Sequence, residues 1–301
     1  MSARYGRLLG AGAYAMTGWV LGAGCAVDRT DRAPPDDAAD SASAPDQAII
    51  HGAASTAAQD AVIMLRIGDD ALCSGTLIAP NLVLTARHCV SQTDEGIECA
   101  PDGHALAGGV VGPDRAASEL VVYTGRKSQS VVAAARAQRI FHDDATNLCN
   151  HDLALLMLDR ELSDVTPAAL RLQDSTKVGE DVTAVGWGLT TKDAIPSARQ
   201  QRRNVPILDV GPSSQTPPHD MVVGESICSG DSGGPALSQQ GAVIGVVSYG
   251  GNGSYDPSRP SSSCVGAEAR NTYTRVAPFA SLIRRAFRAA GHEPKLERAS
   301  D

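Results

Sequence analysis

From Ile49 onward the chain consists of short aliphatic and β-branched segments separated by clusters of Gly, Pro, Asn and Asp. Many short strands at close spacing favour an antiparallel barrel or sandwich over a fold of alternating strands and helices. The predicted strands are Ala61–Ile67, Thr76–Ile78, Leu82–Leu84, Leu120–Tyr123, Leu153–Leu158, Val182–Val185, Val205–Val210, Ala242–Ser248 and Thr272–Val276.

Only the segment between Pro278 and Ala290 has a helical period. Its apolar residues recur at intervals of three and four, with arginines on the opposite face, which predicts an amphipathic helix. These apolar residues are Phe279, Leu282, Ile283, Ala286 and Phe287. Residues 291–301 are polar, and we expect this tail to be frayed.

The first 24 residues have the features of an export signal. Arg4 and Arg7 precede an uncharged stretch, Leu8–Gly24, that ends in small residues. The last part of this stretch, together with Cys25, resembles a bacterial lipoprotein lipobox, although its leucine lies one position too early. Three outcomes stay open: lipidation at Cys25, ordinary cleavage, or an uncleaved anchor. Residues 25–48, rich in Ala, Pro, Ser and Asp, form the predicted disordered tether or pro-segment.

Composition narrows the class of protein. The 301 residues are 43% hydrophobic, which is enough for one large or two small cores. A net charge of −8 excludes a nucleic-acid-binding protein that works by bulk electrostatics. No internal apolar run is long enough for a multi-pass membrane protein. The chain has 7 cysteines; with Cys25 set aside, the others are expected to form disulfides in an oxidising compartment, in a pairing that the count leaves open.

Three separate motifs carry candidate chemistry. The segment GDSGGP places Ser232 between glycines, where a tight turn exposes the hydroxyl and frees backbone N–H groups for an oxyanion. By itself this could be an ordinary glycine-rich turn. His88 ends the upstream segment LTARH, and Asp152 lies in NHDLALL between the two.

This order of His, Asp and Ser, each in its own local motif, resembles the trypsin/chymotrypsin family of serine peptidases. The resemblance extends from about Ile49 to Ala290 and implies an all-β fold of two packed antiparallel six-stranded β-barrels with a C-terminal α-helix. It implies Ser232 as the nucleophile, His88 as the general base and Asp152 as the residue that orients His88. The N–H groups of Gly230 and Ser232 would form the oxyanion hole.

Two neighbours of these residues need separate interpretation. Arg87 stands where the family usually has a small residue; near the imidazole it would lower the pKa of His88, and otherwise its side chain points away. His151 precedes Asp152, and because adjacent strand residues face opposite sides, we expect it to lie outside the site.

The family pattern also implies disulfide pairs. It pairs Cys73 with Cys89, beside His88, and Cys228 with Cys264, beside Ser232. The remaining pair would be Cys99 with Cys149, which is not part of the common family pattern.

The resemblance implies a specificity pocket as well. Ser226 would lie at its floor, where enzymes that cleave after Arg or Lys have Asp, so cleavage after basic residues is not expected. Asn271 would shorten the pocket, and the strand Ser248-Tyr249-Gly250 would pair with the substrate backbone. We expect a preference for small or medium uncharged residues.

The segment that begins at Ile49 resembles the family's activation sequence. A cut after Ala48 would free an Ile49 ammonium that pairs with Asp231 and orders the oxyanion hole. Because Ala48 suits a small pocket, we expect self-activation, with a separate activating protease as the alternative.

These observations predict an exported serine endopeptidase that acts on polypeptides, either lipid-anchored to a bacterial cell envelope through Cys25 or secreted. We expect a monomer without cofactor, metal or nucleic acid, and contact with a membrane only through the lipid at Cys25. The alternatives are a protease-like surface binding protein without turnover and an esterase with the same triad.

Overall fold

The computed structural model of the protein describes residues 49–68, 71–94, 96–173 and 175–298. The predicted export signal, Cys25 and the tether or pro-segment lie outside these residues. Neither helix in the described ranges is long and apolar enough to cross a membrane.

The architecture is predominantly β. The strands are β1 (Ala53–Ala54), β2 (Val62–Ile67), β3 (Ala71–Ala79), β4 (Leu82–Thr85), β5 (Ser91–Thr93), β6 (Glu98–Cys99), β7 (Ala105–Ala107), β8 (Val111–Asp114), β9 (Leu120–Thr124), β10 (Val132–Phe141), β11 (Ala154–Leu158), β12 (Asp181–Gly186), β13 (Gln200–Val210), β14 (Asp220–Val223), β15 (Pro235–Leu237), β16 (Val243–Gly251) and β17 (Arg270–Arg275). The α-helices are α1 (Arg87–Val90) and α2 (Ala280–Ala290).

Two closed barrels account for most of these strands. The first has the order β10-β11-β4-β3-β2-β9 and closes through the β9–β10 pair. The second has the order β13-β12-β15-β16-β17-β14, closes through β13–β14, and has β1 added at β13. All strand pairs in both barrels are antiparallel. The predicted fold of two six-stranded barrels is therefore confirmed.

The first barrel has an aliphatic core that continues under α2. Because β2, β4 and β11 are buried along almost their whole length, they appear in the sequence as continuous apolar runs. The buried face of α2 contains Leu282, Ile283, Ala286 and Phe287, which belong to the same cluster as the first barrel. Gly291 ends the helix with a left-handed φ of 79°, a conformation that favours glycine.

The segment after α2 is held in place, so the expectation of a frayed tail is wrong for residues 295–297. Leu170, in the linker between the barrels, donates its N–H to Lys295 O (2.8 Å) and accepts at its carbonyl from Glu297 N (2.9 Å). The Glu297 carboxylate also binds the Arg171 guanidinium and the Ser238 hydroxyl. The tail therefore contacts both the linker and the second barrel.

Candidate active site

Two adjacent strands of the first barrel bring His88 and Asp152 together. β4 and β11 are antiparallel neighbours with Thr85 opposite Ala154. His88 lies in α1, just after the end of β4, and Asp152 lies just before the start of β11. Because antiparallel neighbours place the end of one strand beside the start of the other, both side chains lie at the same edge of the barrel.

Asp152 is almost completely buried, with a side chain only 1% exposed, and its carboxylate accepts three hydrogen bonds. The His88 backbone N–H donates to Oδ1 (2.9 Å), and His88 Nδ1 lies 2.7 Å from Oδ2. The third bond comes from the second barrel, where Ser248 Oγ donates to Oδ2 (2.5 Å). These contacts fix the imidazole with Nδ1 toward Asp152, which leaves Nε2 as the nitrogen available for proton transfer.

Burial and pairing act in opposite directions on the pKa values of this pair. Burial by itself would lower the pKa of His88, but the charge and hydrogen bond of Asp152 outweigh it and raise that pKa. For Asp152, burial favours the neutral form, yet the charge of His88 and the donated hydrogen bonds lower its pKa. The carboxylate is therefore an anion that stabilises the protonated imidazole.

Ser232 lies on the loop between β14 and β15, at the junction of the two barrels. The loop is folded by Asp231 N–H to Cys228 O (3.0 Å) and Gly234 N–H to Asp231 O (2.8 Å). It is also attached to the first barrel, where Ser74 of β3 donates its N–H to Ser232 O (2.7 Å).

Ser74 is a positioning residue that the sequence analysis missed. Its hydroxyl donates to Gly230 O (3.0 Å) and accepts from Trp187 N–H (3.1 Å), so one buried serine joins the Ser232 loop to both barrels. In the sequence, the feature that could have indicated Ser74 is its position next to Cys73. A serine within an apolar strand has no chemical property that distinguishes it from other serines.

The backbone around Ser232 leaves two donors free. Among the described residues, the N–H groups of Gly230 and Ser232 donate to no protein acceptor. The hydroxyl of Ser232 also forms no hydrogen bond with His88 within the described ranges. In unliganded enzymes this contact is often long and tightens when substrate binds.

Neither Arg87 nor His151 enters the site. Arg87 points away from the imidazole and donates to Ser91 Oγ (2.6 Å) and Asp114 Oδ1 (3.3 Å). His151 Nδ1 lies 2.5 Å from Asp143 Oδ2, outside the Asp152 network.

Three disulfides lie around the site: the two that the family pattern implies and the pair that remained. They are Cys73–Cys89, Cys99–Cys149 and Cys228–Cys264. Cys73, His88 and Cys89 place possible metal-ligand atoms within 4.8 Å of one another, but the disulfide occupies both sulfurs. A thiolate is needed to bind a metal, so these three residues do not fit one.

The residues assigned to the specificity pocket lie together in the second barrel. Asn271 lies opposite Gly250 in the β16–β17 pair, and its amide donates to Gly224 O (2.8 Å) and Ser226 Oγ (3.4 Å). A Cβ at Gly250 would lie 2.5 Å from Asn271 Oδ1. The buried Asn271 side chain therefore fills space between Ser226 and the Gly250 strand.

Asp231 is a second fully buried carboxyl, and both of its hydrogen-bond donors are backbone N–H groups. It accepts from Gly188 N–H (2.7 Å) and Cys228 N–H (2.9 Å). A Cβ at Gly186 would lie 2.1 Å from its Oδ1, so only glycine fits there. Burial raises the pKa of Asp231 to about 7, although the two N–H bonds oppose this. Ile49 is also fully buried, among apolar residues of the second barrel.

Comparisons with known proteins agree on one family. The profile of the family described as Trypsin matches residues 49–283. Serine protease SP24D of Anopheles gambiae is 31% identical over 242 residues, which are 75% of this chain and 76% of that protein. Granzyme M of Rattus norvegicus is 26% identical and covers 71% of this chain and 79% of its own length.

Other matches cover less of the sequence or show the fold alone. Phenoloxidase-activating factor 3 of Holotrichia diomphalia is 28% identical over 59% of this chain, and the chain spans 56% of its length. The solved structure of neuropsin, a mouse serine protease, has a TM-score of 0.58 at 22% identity and covers 79% of this chain and 99% of its own.

The ion pair of His88 and Asp152 predicts a shift in pH dependence. Replacing Asp152 with Asn should lower kcat for peptide hydrolysis about 10⁴-fold near neutral pH, the loss typical when the orienting carboxylate is removed. Because Asp152 raises the pKa of His88, the acid limb of kcat/KM should also move to lower pH. Asp143→Asn, which breaks the pair with His151, is the matched control and should change neither quantity. An unchanged acid limb in Asp152→Asn would contradict the assignment.

Proposed function

We propose a specific reaction for this chain, which belongs to the trypsin family and is a serine-type peptidase: hydrolysis of peptide bonds through an acyl-enzyme at Ser232. One observation carries the proposal. A partly exposed His88, paired with the buried Asp152, lies beside a loop on which Ser232 is partly exposed and two neighbouring N–H groups are free.

In the proposed reaction, Ser232 Oγ attacks the carbonyl carbon while His88 Nε2 takes the hydroxyl proton. The negative oxygen of the tetrahedral intermediate accepts hydrogen bonds from the N–H groups of Gly230 and Ser232, and such a donor typically contributes about 2.7–4 kcal/mol. His88 then gives its proton to the leaving amine, and the C–N bond breaks. Water attacks the acyl-enzyme with the same base and releases the acid and free Ser232.

The contacts of Asn271 support a short, uncharged specificity pocket. Ser226 has no charge to pair with a substrate cation, and an unpaired buried cation is strongly unfavourable. The amide of Asn271 occupies the depth that a longer side chain would need. We therefore propose cleavage after small or medium uncharged residues, while the exposed end of β16 around Tyr249 and Gly250 pairs with the substrate backbone.

The state of Asp231 supports activation by a new N-terminus. A fully buried carboxyl held only by N–H groups gains from a cation, and cleavage after Ala48 would supply the Ile49 ammonium. The first residues of this segment are already fastened to the second barrel, since Arg202 donates to Ile50 O (3.0 Å) and Glu225 accepts from Arg202 and contacts His51. The ammonium would have to reach Asp231 by a local movement of Ile49.

The three disulfides support an extracellular or periplasmic location, because such bonds persist in oxidising compartments. We propose that the protein is exported, and that a lipid at Cys25 is what attaches it to a membrane.

A fluorophosphonate probe tests the reaction. Protein with an Ile49 N-terminus should be labelled at Ser232 and should hydrolyse casein, because both need an activated serine beside a working oxyanion hole. Ser232→Ala is the matched control and should lose both. Labelling without cleavage of casein or peptides would point to an esterase, and absence of labelling would point to a binding protein without turnover.

The pocket assignment predicts a change of specificity on Asn271→Gly. Removing the amide deepens the pocket, so the kcat/KM ratio for peptides with Leu over those with Ala before the scissile bond should rise about 10-fold or more. A peptide panel that varies this residue measures the ratio. Asn204→Gly, at an exposed position with φ of 56°, is the control and should keep the wild-type ranking. Fastest cleavage after Arg in the wild-type protein would overturn the pocket assignment.

Self-activation predicts different fates for two purified proteins. Wild-type protein should acquire an Ile49 terminus during incubation, whereas Ser232→Ala should keep its original terminus, because it cannot cleave after Ala48. N-terminal sequencing and intact mass distinguish the two. An Ile49 terminus that forms in pure Ser232→Ala would refute self-processing.

A further inference from the structure

The chain between α1 and residue 117 forms a rim next to His88. We use "the rim" for residues 91–94 and 96–116, which contain the strand pairs β5–β8 and β6–β7. The rim is fastened to the segment before Asp152 by the disulfide Cys99–Cys149 and by Leu148 N–H to Gly109 O (2.9 Å). It is therefore held in a defined position beside the catalytic pair.

The last part of the rim brings Arg115 back to the catalytic helix. Its backbone N–H donates to Val90 O (2.8 Å), and Val90 is the final residue of α1, two positions after His88. The Arg115 side chain is half-buried, and its charge reaches the imidazole, where it lowers the pKa of His88 against the larger effect of Asp152. Arg115, not Arg87, is thus the cation that acts on His88 from this loop.

The guanidinium of Arg115 is unpaired within the described part of the chain. It forms no ion pair or side-chain hydrogen bond there, and its Nε is shielded from solvent without an acceptor. The adjacent carboxylate, Asp114, is already bound by Arg87, Ser91 and His142. A shielded donor without a partner is unfavourable, so this site gains from an incoming acceptor.

The position of Arg115 relative to the scissile bond follows from the two flanks of His88. On one flank Ser248 binds Asp152 and continues into the strand that would pair with the acyl part of the substrate. The disulfide Cys73–Cys89 lies on the other flank. Leu72 lies there too, close to Gly230: its Cδ2 would be 3.6 Å from a Cβ atom added to that glycine. Arg115 N–H binds Val90 O, and Val90 follows Cys89 of this disulfide. From this connection we infer that Arg115 lies on the second flank, the side of the leaving group.

We propose that Arg115 is a specificity-determining residue that binds an acidic side chain within two residues after the scissile bond. This assignment rests on the proposed peptidase function and adds a substrate class to it. The protein has a net charge of −8, which disfavours acidic peptides in general. A local unpaired arginine beside the site is what would select them.

Internally quenched peptides test the assignment. Each has Ala before the scissile bond and either Glu or Gln at the first or the second position after it. Wild-type protein should hydrolyse one of the Glu peptides with a kcat/KM about two- to fivefold above its Gln counterpart, the effect of one partly exposed ion pair. This preference should shrink in high salt, because salt screens the pair.

Variants separate a charge effect from a structural one. Arg115→Gln should lose the preference while it still cleaves the Gln peptide, Arg115→Lys should retain most of it, and Arg115→Glu should favour Lys at the same position. Arg284→Gln, on the exposed face of α2, is the matched control and should behave as wild type.

The neutral peptide distinguishes failure of this assignment from failure of the proposed function. Equal cleavage of Glu and Gln peptides by the wild-type protein, or a preference that persists in Arg115→Gln, overturns the role of Arg115 alone. Wild-type protein with an Ile49 terminus that cleaves neither peptide refutes the peptidase function, and the subsite with it.

Discussion

The burial of one carboxylate, Asp152, is the constraint on which the site depends. An ionised group that is 1% exposed persists only if its oxygens are fully hydrogen-bonded, since an uncompensated buried charge costs several kcal/mol. Two of its donors come from His88 in the first barrel and one from Ser248 in the second. If the barrels separated, Asp152 would keep His88 but lose the Ser248 donor, so the carboxylate that orients the imidazole also connects the two barrels. Ser74 also connects the barrels: it belongs to the first barrel and binds the Ser232 loop of the second.

Asp231 is also a buried carboxyl, but its pKa is shifted in the opposite direction from that of Asp152. It is as deeply buried as Asp152 but has only two backbone donors, and its pKa is raised to about 7, whereas that of Asp152 is lowered. The difference lies in the partner: an imidazole faces Asp152, and glycine backbone surrounds Asp231. Asp152 therefore has a countercharge built into the fold, whereas burial favours the neutral form of Asp231 until a cation approaches it.

The sequence predicted those strands whose burial produces a continuous run of apolar residues. The strands of the first barrel that carry His88 and Asp152 are buried on both faces, so their apolar runs are visible in the sequence. β10 (Val132–Phe141) is half exposed and rich in Ala and Arg, and β14 and β15 are short, so no period marks them. The rim strands depend on the disulfide Cys99–Cys149 and on backbone contacts with a distant segment. Local propensity does not contain such long-range contacts, and Ser74 and Arg115 could not be identified without them.

The docked tail holds the linker between the two barrels in place. Leu170 of the linker lies between Val243 of the second barrel and Leu296 of the tail, while α2 itself packs on the first barrel. The segment of residues 295–297 thus fixes the linker where the two barrels meet. Proteolytic removal of Glu297 would break its contacts with Arg171, Ser238 and Leu170. The two barrels would then hold Ser232 and His88 less precisely relative to each other, although every residue of the cleft remained intact.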